Sequence, residues 1–295
     1  IGGAVAGTGN VLFSGTSGIG GNVTSGGLLT FTGVTSLAGN VTSAGAQTYL
    51  AGATFGTGTG GVVAVNGTSI SVAVPVVLDR SVVFTGTGDV TFMGTILSAA
   101  ADAGAGGNAL TVNAPGLTTF NSAIGAIAGQ ELASLTTDAP GSNRVNSVVV
   151  NTLGEQTYGG PTLLGADVIV SSTGGGVAFQ GTLDSADATA RSLEVNTGGS
   201  VGNTTFAGII GGTNPLATLT TNANGTTFLP ATVRTNGQQT YLDDVRLTDN
   251  TQLNVLTDGG ITLGSRVDSN GATPFSLTLN TAGNKDTRLA GAVGT

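Results

Sequence analysis

The amino-acid sequence predicts an all-β fold in which the chain winds as a parallel β-helix, about 11 coils of roughly 26 residues each. Three observations lead there. A repeat of about 83 residues keeps its register along the chain, apolar residues alternate with period two inside it, and the composition favours turns and strands over charge.

The repeat is read from ordered landmarks. Leu-Thr-Val-Asn at 110–113 returns as Leu-Glu-Val-Asn at 193–196 and Leu-Thr-Leu-Asn at 277–280, steps of 83 (193 − 110) and 84 (277 − 193). Leu-Thr-Thr-Asp at 135–138 returns as Leu-Thr-Thr-Asn at 219–222. Gly-x-Gln-Thr-Tyr ends at Tyr158 and again at Tyr241, a step of 83 (241 − 158), and an earlier copy ends at Tyr49. Gly-x-Val-x-Phe-x-Gly occupies 9–15, 88–94 and 175–181, with Gly-Gly-Ile-Thr-Leu at 259–263 as a further copy. These landmarks divide the chain into units of approximately 1–109, 110–192, 193–276 and a partial 277–295.

The step from Tyr49 to Tyr158 is 109, which is 26 more than 83, and Asn113 to Asp138 and Asn196 to Asn222 are 25 and 26. An indel of the same size as an internal spacing points to a solenoid, because whole coils can be added without disturbing their neighbours. Pairs such as Val90/Phe92, Val177/Phe179, Leu193/Val195 and Leu277/Leu279 alternate as strands do, and Asn-Gly at 66, 224, 236 and 270 marks turns. Eleven coils at about 4.8 Å each give a stack on the order of 50 Å. The core is expected to be thin, lined by Val, Leu, Ile and Ala with occasional Phe. Asn113 with Asp138, and Asn196 with Asn222, are expected to stack at corners of adjacent coils. A string of immunoglobulin-like sandwiches is the rival fold. The absence of Trp, of linkers between units and of disruption by the 26-residue insertion argues against it.

Composition limits the chemistry. The 295 residues include 52 Gly, 8% charged residues and neither Cys, His nor Trp. Disulfides, thiolate or imidazole metal sites and histidine-based triads are thereby excluded. A net charge of −8 with scattered basic residues speaks against nucleic-acid binding. Residues 1–78 contain no charged side chain, which drift in a Gly/Thr/Ala-rich repeat explains; lateral packing against another chain is the sharper alternative. The longest apolar run, 69–78, contains Pro75 and is far shorter than the roughly 20 residues of a membrane span. The chain opens Ile1-Gly-Gly-Ala without a signal-peptide pattern and ends inside a unit that began at Leu277, so it reads as one continuous solenoid segment, 1–295, of a longer repetitive protein.

Site candidates are few. Asp184 with Asp187 and Asp243 with Asp244 are the only carboxylate pairs that suggest carbohydrate cleavage, and neighbours on a strand face opposite ways; solvated loop acids are the ordinary reading. Gly-Thr-Gly-Asp at 86–89 matches half of a calcium-binding nonapeptide once, without the array. The Gly-rich stretches 58–61 and 174–176 lack the Lys-Ser/Thr of a phosphate loop and read as turns. Thr pairs at 118–119, 204–205, 220–221 and 226–227 raise the idea of an ice-binding array but are irregular, so outward-facing β-branched residues explain them better. No catalytic, cofactor or metal residue is assigned.

The recurrent Leu-Thr-Val-Asn, Leu-Thr-Thr-Asn, Gly-Gln-Gln-Thr-Tyr and Gly-Gly-Val-x-Phe pieces resemble the repeat regions of giant bacterial filamentous-haemagglutinin-like exoproteins, over nearly the whole chain, with 52–105 looser. That resemblance, with the general preference for right-handed crossovers, implies a right-handed parallel β-helix. It further implies display outside the bacterial cell in adhesion, biofilm matrix or filament formation. The expected function is therefore a non-enzymatic stalk or filament segment of a cell-surface adhesin. Its partners would be itself or neighbouring repeats, with host or matrix glycans as further candidates and no cofactor. The alternative is a polysaccharide-binding or polysaccharide-degrading β-helix.

Overall fold

A computed structural model of the chain describes residues 1–100, 106–198, 202–283 and 285–294. The chain is all-β, a parallel β-solenoid consistent with the right-handed winding expected, and no α-helix occurs among the described residues. It divides into two compact units, residues 1–143 with 149–153 and residues 144–148 with 154–295.

Each unit is built from three parallel walls that the chain visits in turn. In the first unit, the first wall stacks Val5–Gly7, Val23–Ser25, Val41–Ser43, Val63–Gly67, Val82–Gly86, Leu110–Asn113 and Leu135–Thr137. The second wall stacks Val11–Phe13, Leu29–Phe31, Gln47–Tyr49, Ile70–Val72, Val90–Phe92 and Leu117–Phe120. The third runs from Ser17–Ile19 through Thr35–Leu37, Ala53–Phe55 and Val76–Leu78 to Ile96–Ser98, and continues through single bridges Ile96–Ile124–Val150. In the second unit the first wall begins at Gln156–Tyr158 and ends at Val267–Ser269, and the third runs from Val168–Ser172 to Thr287–Leu289. Its second wall includes Thr162–Leu164, Leu183–Ser185, the bridge at Ile210, Thr232–Thr235, Thr251–Val255 and Leu277–Thr281.

The expected constant turn of 26 residues does not hold. Paired first-wall residues are 18 apart at Val5–Val23 and Val23–Val41, 28 at Val82–Leu110 and 18 again at Thr226–Asp244. The walls fix the strands, because a one-residue slip would turn the inward row outward. Length variation is therefore pushed into the corners, where backbone can bulge into solvent without costing the stack.

The 83-residue repeat is also not a whole number of turns. From Leu193 to Leu277 the chain passes eleven wall segments, three turns and two walls, so the same motif moves from the third wall to the second. The Gln-Thr-Tyr motif makes the same move, from the first wall at Gln156 to the third at Gln239. The three-coil unit expected from spacing is corrected accordingly: the repeat is a sequence period of eleven wall segments, and each copy turns the motif by one wall.

Inward rows form the core, and the rings do more there than expected. In the first unit Phe13, Phe31 and Tyr49 stack on the second wall at 4.7 and 4.8 Å, nearly coplanar, which is the spacing between strands. The row then passes edge-on to Phe55 on the third wall, Phe84 on the first and Phe92 on the second, with interplanar angles of 70°, 80° and 88°. Phe92 stacks flat on Phe120. Rings are parallel within one wall and tilted between walls because the walls themselves are inclined. In the second unit Tyr158, Phe179 and Phe206 form a similar flat stack. Each such pair adds about 0.5–1.5 kcal/mol beyond area burial. Few aromatics are needed because nearly all of them are inside.

Corners are joined by side chains. Asn10, Asn22, Asn40, Asp89, Asp167 and Asn250 each immediately precede a strand. Each accepts, through its side-chain oxygen, the backbone N–H of the matching residue one turn later, at 2.8–3.0 Å. Ser81 does the same for Ala109. The main-chain carbonyls of Asn22 and Asn40 meanwhile accept N–H groups from the turn before, at 2.8 Å. One residue thus ties three turns together. At exits from strands the direction reverses: Asp138 accepts from Ala114 N–H, and Asn222 accepts from Thr197 N–H and donates to its carbonyl. The expected Asn113/Asp138 and Asn196/Asn222 contacts are therefore side chain to backbone one residue further on. A true amide rung joins Asn280 to Asn254 at 2.7 Å. At some corners no side chain fits, as at Gly33, where a Cβ would enter the backbone of Gly15.

Asn40 tests the corner rule. Asn40→Ala leaves the Ala64 N–H without its acceptor and should lower stability by about 1 kcal/mol. Asn40→Asp retains the oxygen, as Asp89 and Asp167 do, and should stay close to the parent in urea denaturation.

Candidate functional site

The carboxylate pairs separate. Asp243 is buried, 2% exposed, and accepts from the Thr227 and Thr221 hydroxyls at 2.8 and 3.0 Å. Asp244, its neighbour, lies on the other face and accepts from the Ser265 hydroxyl at 2.6 Å and from Arg266. They face different ways, as expected, although Asp243 lies in the bend just before the strand Asp244–Leu247. Burial raises the Asp243 carboxyl above the ordinary range, while the Ser265 hydrogen bond leads the contacts that lower Asp244. Asp184 is also buried and caps the Thr213 and Asn214 N–H groups. Asp187 is exposed and bonded to Thr189 N–H, which holds its carboxyl low. The reading of all four as solvated loop acids is corrected for Asp184, a buried cap of backbone N–H groups, and for Asp243, a buried acceptor of Thr hydroxyls.

The remaining candidates resolve into turns and walls. Asp89 of the Gly-Thr-Gly-Asp stretch spends its side chain on Leu117 N–H. Among the described residues no group of three or more Asp or Glu gathers as metal ligands would. In the 58–61 loop, Gly58 and Gly60 take positive φ, and the carbonyls of Gly56, Gly61 and Ala38 accept from the Arg80 guanidinium, which pins the loop. Strand alternation divides each Thr pair: Thr118, Thr204, Thr221 and Thr227 point inward at 1% exposure or less, and Thr119, on the outer face, is buried as well. The outward-only reading is corrected for those four. Register does align a separate outward column, Thr30, Thr48, Ser71, Thr91 and Thr119, on the second wall of the first unit.

Sequence reasoning missed the chemistry of Gln-Thr-Tyr. Gln and Tyr, two apart, both face inward and are at most 1% exposed. The Tyr hydroxyl donates to the Gln side-chain oxygen at 2.8 Å in the Tyr49 copy, 3.0 Å at Tyr158 and 3.1 Å at Tyr241. The Gln amide then donates to a carbonyl two walls further along the chain, at Asn66, Ser171 and Asn254. Burial drives all three phenols well above their ordinary value, so they stay neutral donors. The clue was present: every Tyr of the chain follows Gln by two. Period two places both on one face.

The second missed feature is an ionic lattice. Arg246 and Asp268 are direct cross-turn neighbours and pair at 3.2 Å, while Arg266 reaches Asp268 at 3.1 Å and Asp244 at 3.3 Å. Charges of alternating sign thus bind the last turns of the second unit where hydroxyls and amides bind others. A shallow groove on the first wall of the same unit is lined by Glu155, Thr157, Ala178, Asn203 and Thr205.

Asp243 yields a pH test. The native state holds this proton more tightly than the unfolded chain. Stability should therefore fall as pH rises from the ordinary carboxylate range of about 4 through the raised native value. Asp243→Asn should remove that slope, as read from urea midpoints across pH. Comparison with protein-family models, curated proteins and solved structures returns no match.

Proposed function

We propose that this chain is a non-enzymatic structural segment, a stiff stalk or filament piece of a bacterial cell-surface adhesin or matrix fibre of the filamentous-haemagglutinin-like kind, working outside the cell. One observation carries the reading: the conspicuous polar side chains are consumed in joining turns. Asn and Asp serve corners, Gln and Tyr clamp the interior, and Arg grips loops or neighbouring acids. A fold that spends its chemistry on stacking supports a mechanical role, since each added turn repeats the same bonds.

Partners of this reading are further copies of the same architecture. A wall of parallel strands can accept another parallel strand through the N–H and C=O groups of its edge. The uncharged first 78 residues also expose Leu12, Leu28, Val34, Leu50 and Val62, which suits lateral contact. A polysaccharide-binding role is the second reading, favoured by the Glu155–Asn203 groove.

Electron microscopy with mass measurement of the purified chain tests the proposal. Linear or side-by-side assemblies that lengthen with concentration are expected. Strictly monomeric particles at all concentrations would contradict assembly, and specific glycan-array binding abolished by Glu155→Ala would favour the second reading instead.

A further inference from the structure

Four Asn-Gly bonds lie in the chain, and their surroundings differ in a way that matters for covalent chemistry. Asn66-Gly67 is inside the strand Val63–Gly67, with Asn66 and Gly67 held opposite Thr85 and Gly86, and the Asn66 carbonyl accepts from Gln47. Asn236-Gly237 sits at a corner but is held on both sides. Gly237 N–H donates to Ala217 at 2.7 Å, and the Asn236 carbonyl accepts from Thr257 N–H, Asp258 N–H and the Thr257 hydroxyl. Asn224-Gly225 and Asn270-Gly271 lie in bends, with Asn224, Asn270 and Gly271 exposed and Gly225 half-buried against Gly202. Asn224 is the one non-glycine residue with positive φ among the described residues, at 79°, and Gly271 has φ of 102°. Neither Gly225 nor Gly271 donates its N–H to another described residue.

We propose that Asn224 and Asn270 are sites of self-modification, converting to aspartate and isoaspartate in the folded protein, while Asn66 and Asn236 are protected by the stack. The backbone nitrogen of the following glycine attacks the Asn side-chain carbonyl carbon. The new C–N bond closes a five-membered imide, the glycine nitrogen gives up its proton, and the amide nitrogen leaves as ammonia. Water then opens the imide at either carbonyl, giving aspartate or a backbone routed through the side-chain carbon. Attack needs a glycine nitrogen free to lose its proton and a peptide free to rotate about the Asn Cα–C bond. Glycine supplies the least steric hindrance to that approach. Turns at 224 and 270 allow both motions. At 236, rotation would break the four hydrogen bonds just named, which slows reaction on the order of a thousandfold.

The outcome differs from an Asn→Asp exchange at a corner. Asp already replaces Asn at 89 and 167 without loss of the acceptor oxygen. Isoaspartate at 224 or 270 instead adds an atom to the main chain and a negative charge to an exposed turn. The proposal does not depend on the structural role argued above.

The native chain, held for days at mildly alkaline pH and then digested, can be mapped by mass spectrometry with separation of isoaspartyl peptides. Conversion is expected at 224 and 270, with 236 on the order of a thousandfold slower by its hydrogen-bond count and 66 slowed by its place inside a paired strand. A parallel sample in concentrated urea should convert all four alike, which isolates the effect of folding. Equal rates at all four sites in the native protein would overturn the proposal. So would inertness of 224 and 270 in the native chain when urea releases them.

Discussion

Parallel stacking is the constraint on which the rest of the structure depends. A turn of this chain cannot satisfy its own backbone; its N–H and C=O groups are met by the turns before and after. Val5 N–H is met by Asn22 carbonyl one turn on, and Gly26 N–H by Gly7 carbonyl one turn back. Once that is imposed, every side chain has a fixed neighbour above and below. Rings then stack at the strand spacing, amides meet amides, and a charge at 246 must meet an opposite charge at 268. The core, the corners and the ionic lattice are three answers to one geometric demand.

Much of this was legible in the sequence. Alternation at Val90/Phe92 and Leu193/Val195 marks inward residues, and all four are buried. Asp243 and Asp244 also face different ways, although Asp243 lies in the bend before the strand. The 25- and 26-residue spacings between landmarks mislead on turn length, because they are local values and not a universal coil. Corners absorb insertions freely, so 18-residue and 28-residue turns stack equally well. The corner role of Asn22 or Asn40 was not visible for a different reason. A polar residue before a strand is common in any β protein, and only the cross-turn register shows which N–H it meets.

The eleven-segment repeat links sequence to architecture in a way that composition could not. Because eleven is not a multiple of three, a duplicated unit still joins strand to strand but lands one wall away. The Gln-Tyr clamp therefore recurs on different walls and works on each, since it needs only two inward positions two residues apart. Tyr158 also stacks on Phe179 in a flat pair, so the clamp fixes the ring on one side while the stack holds it on the other. A motif that tolerates any wall can be copied indefinitely, which is what a long structural protein requires.

The most direct measurement is a set of electron spin distances along one wall. Ala6, Thr24, Thr42, Asn66, Thr85 and Asn113 are successive cross-turn partners on the first wall of the first unit. Labels at 6 and 85 span four turns and labels at 6 and 113 span five, so separations of about 19 and 24 Å are predicted, one strand spacing apart. Distances that do not grow by a constant step with each turn would contradict the parallel stack.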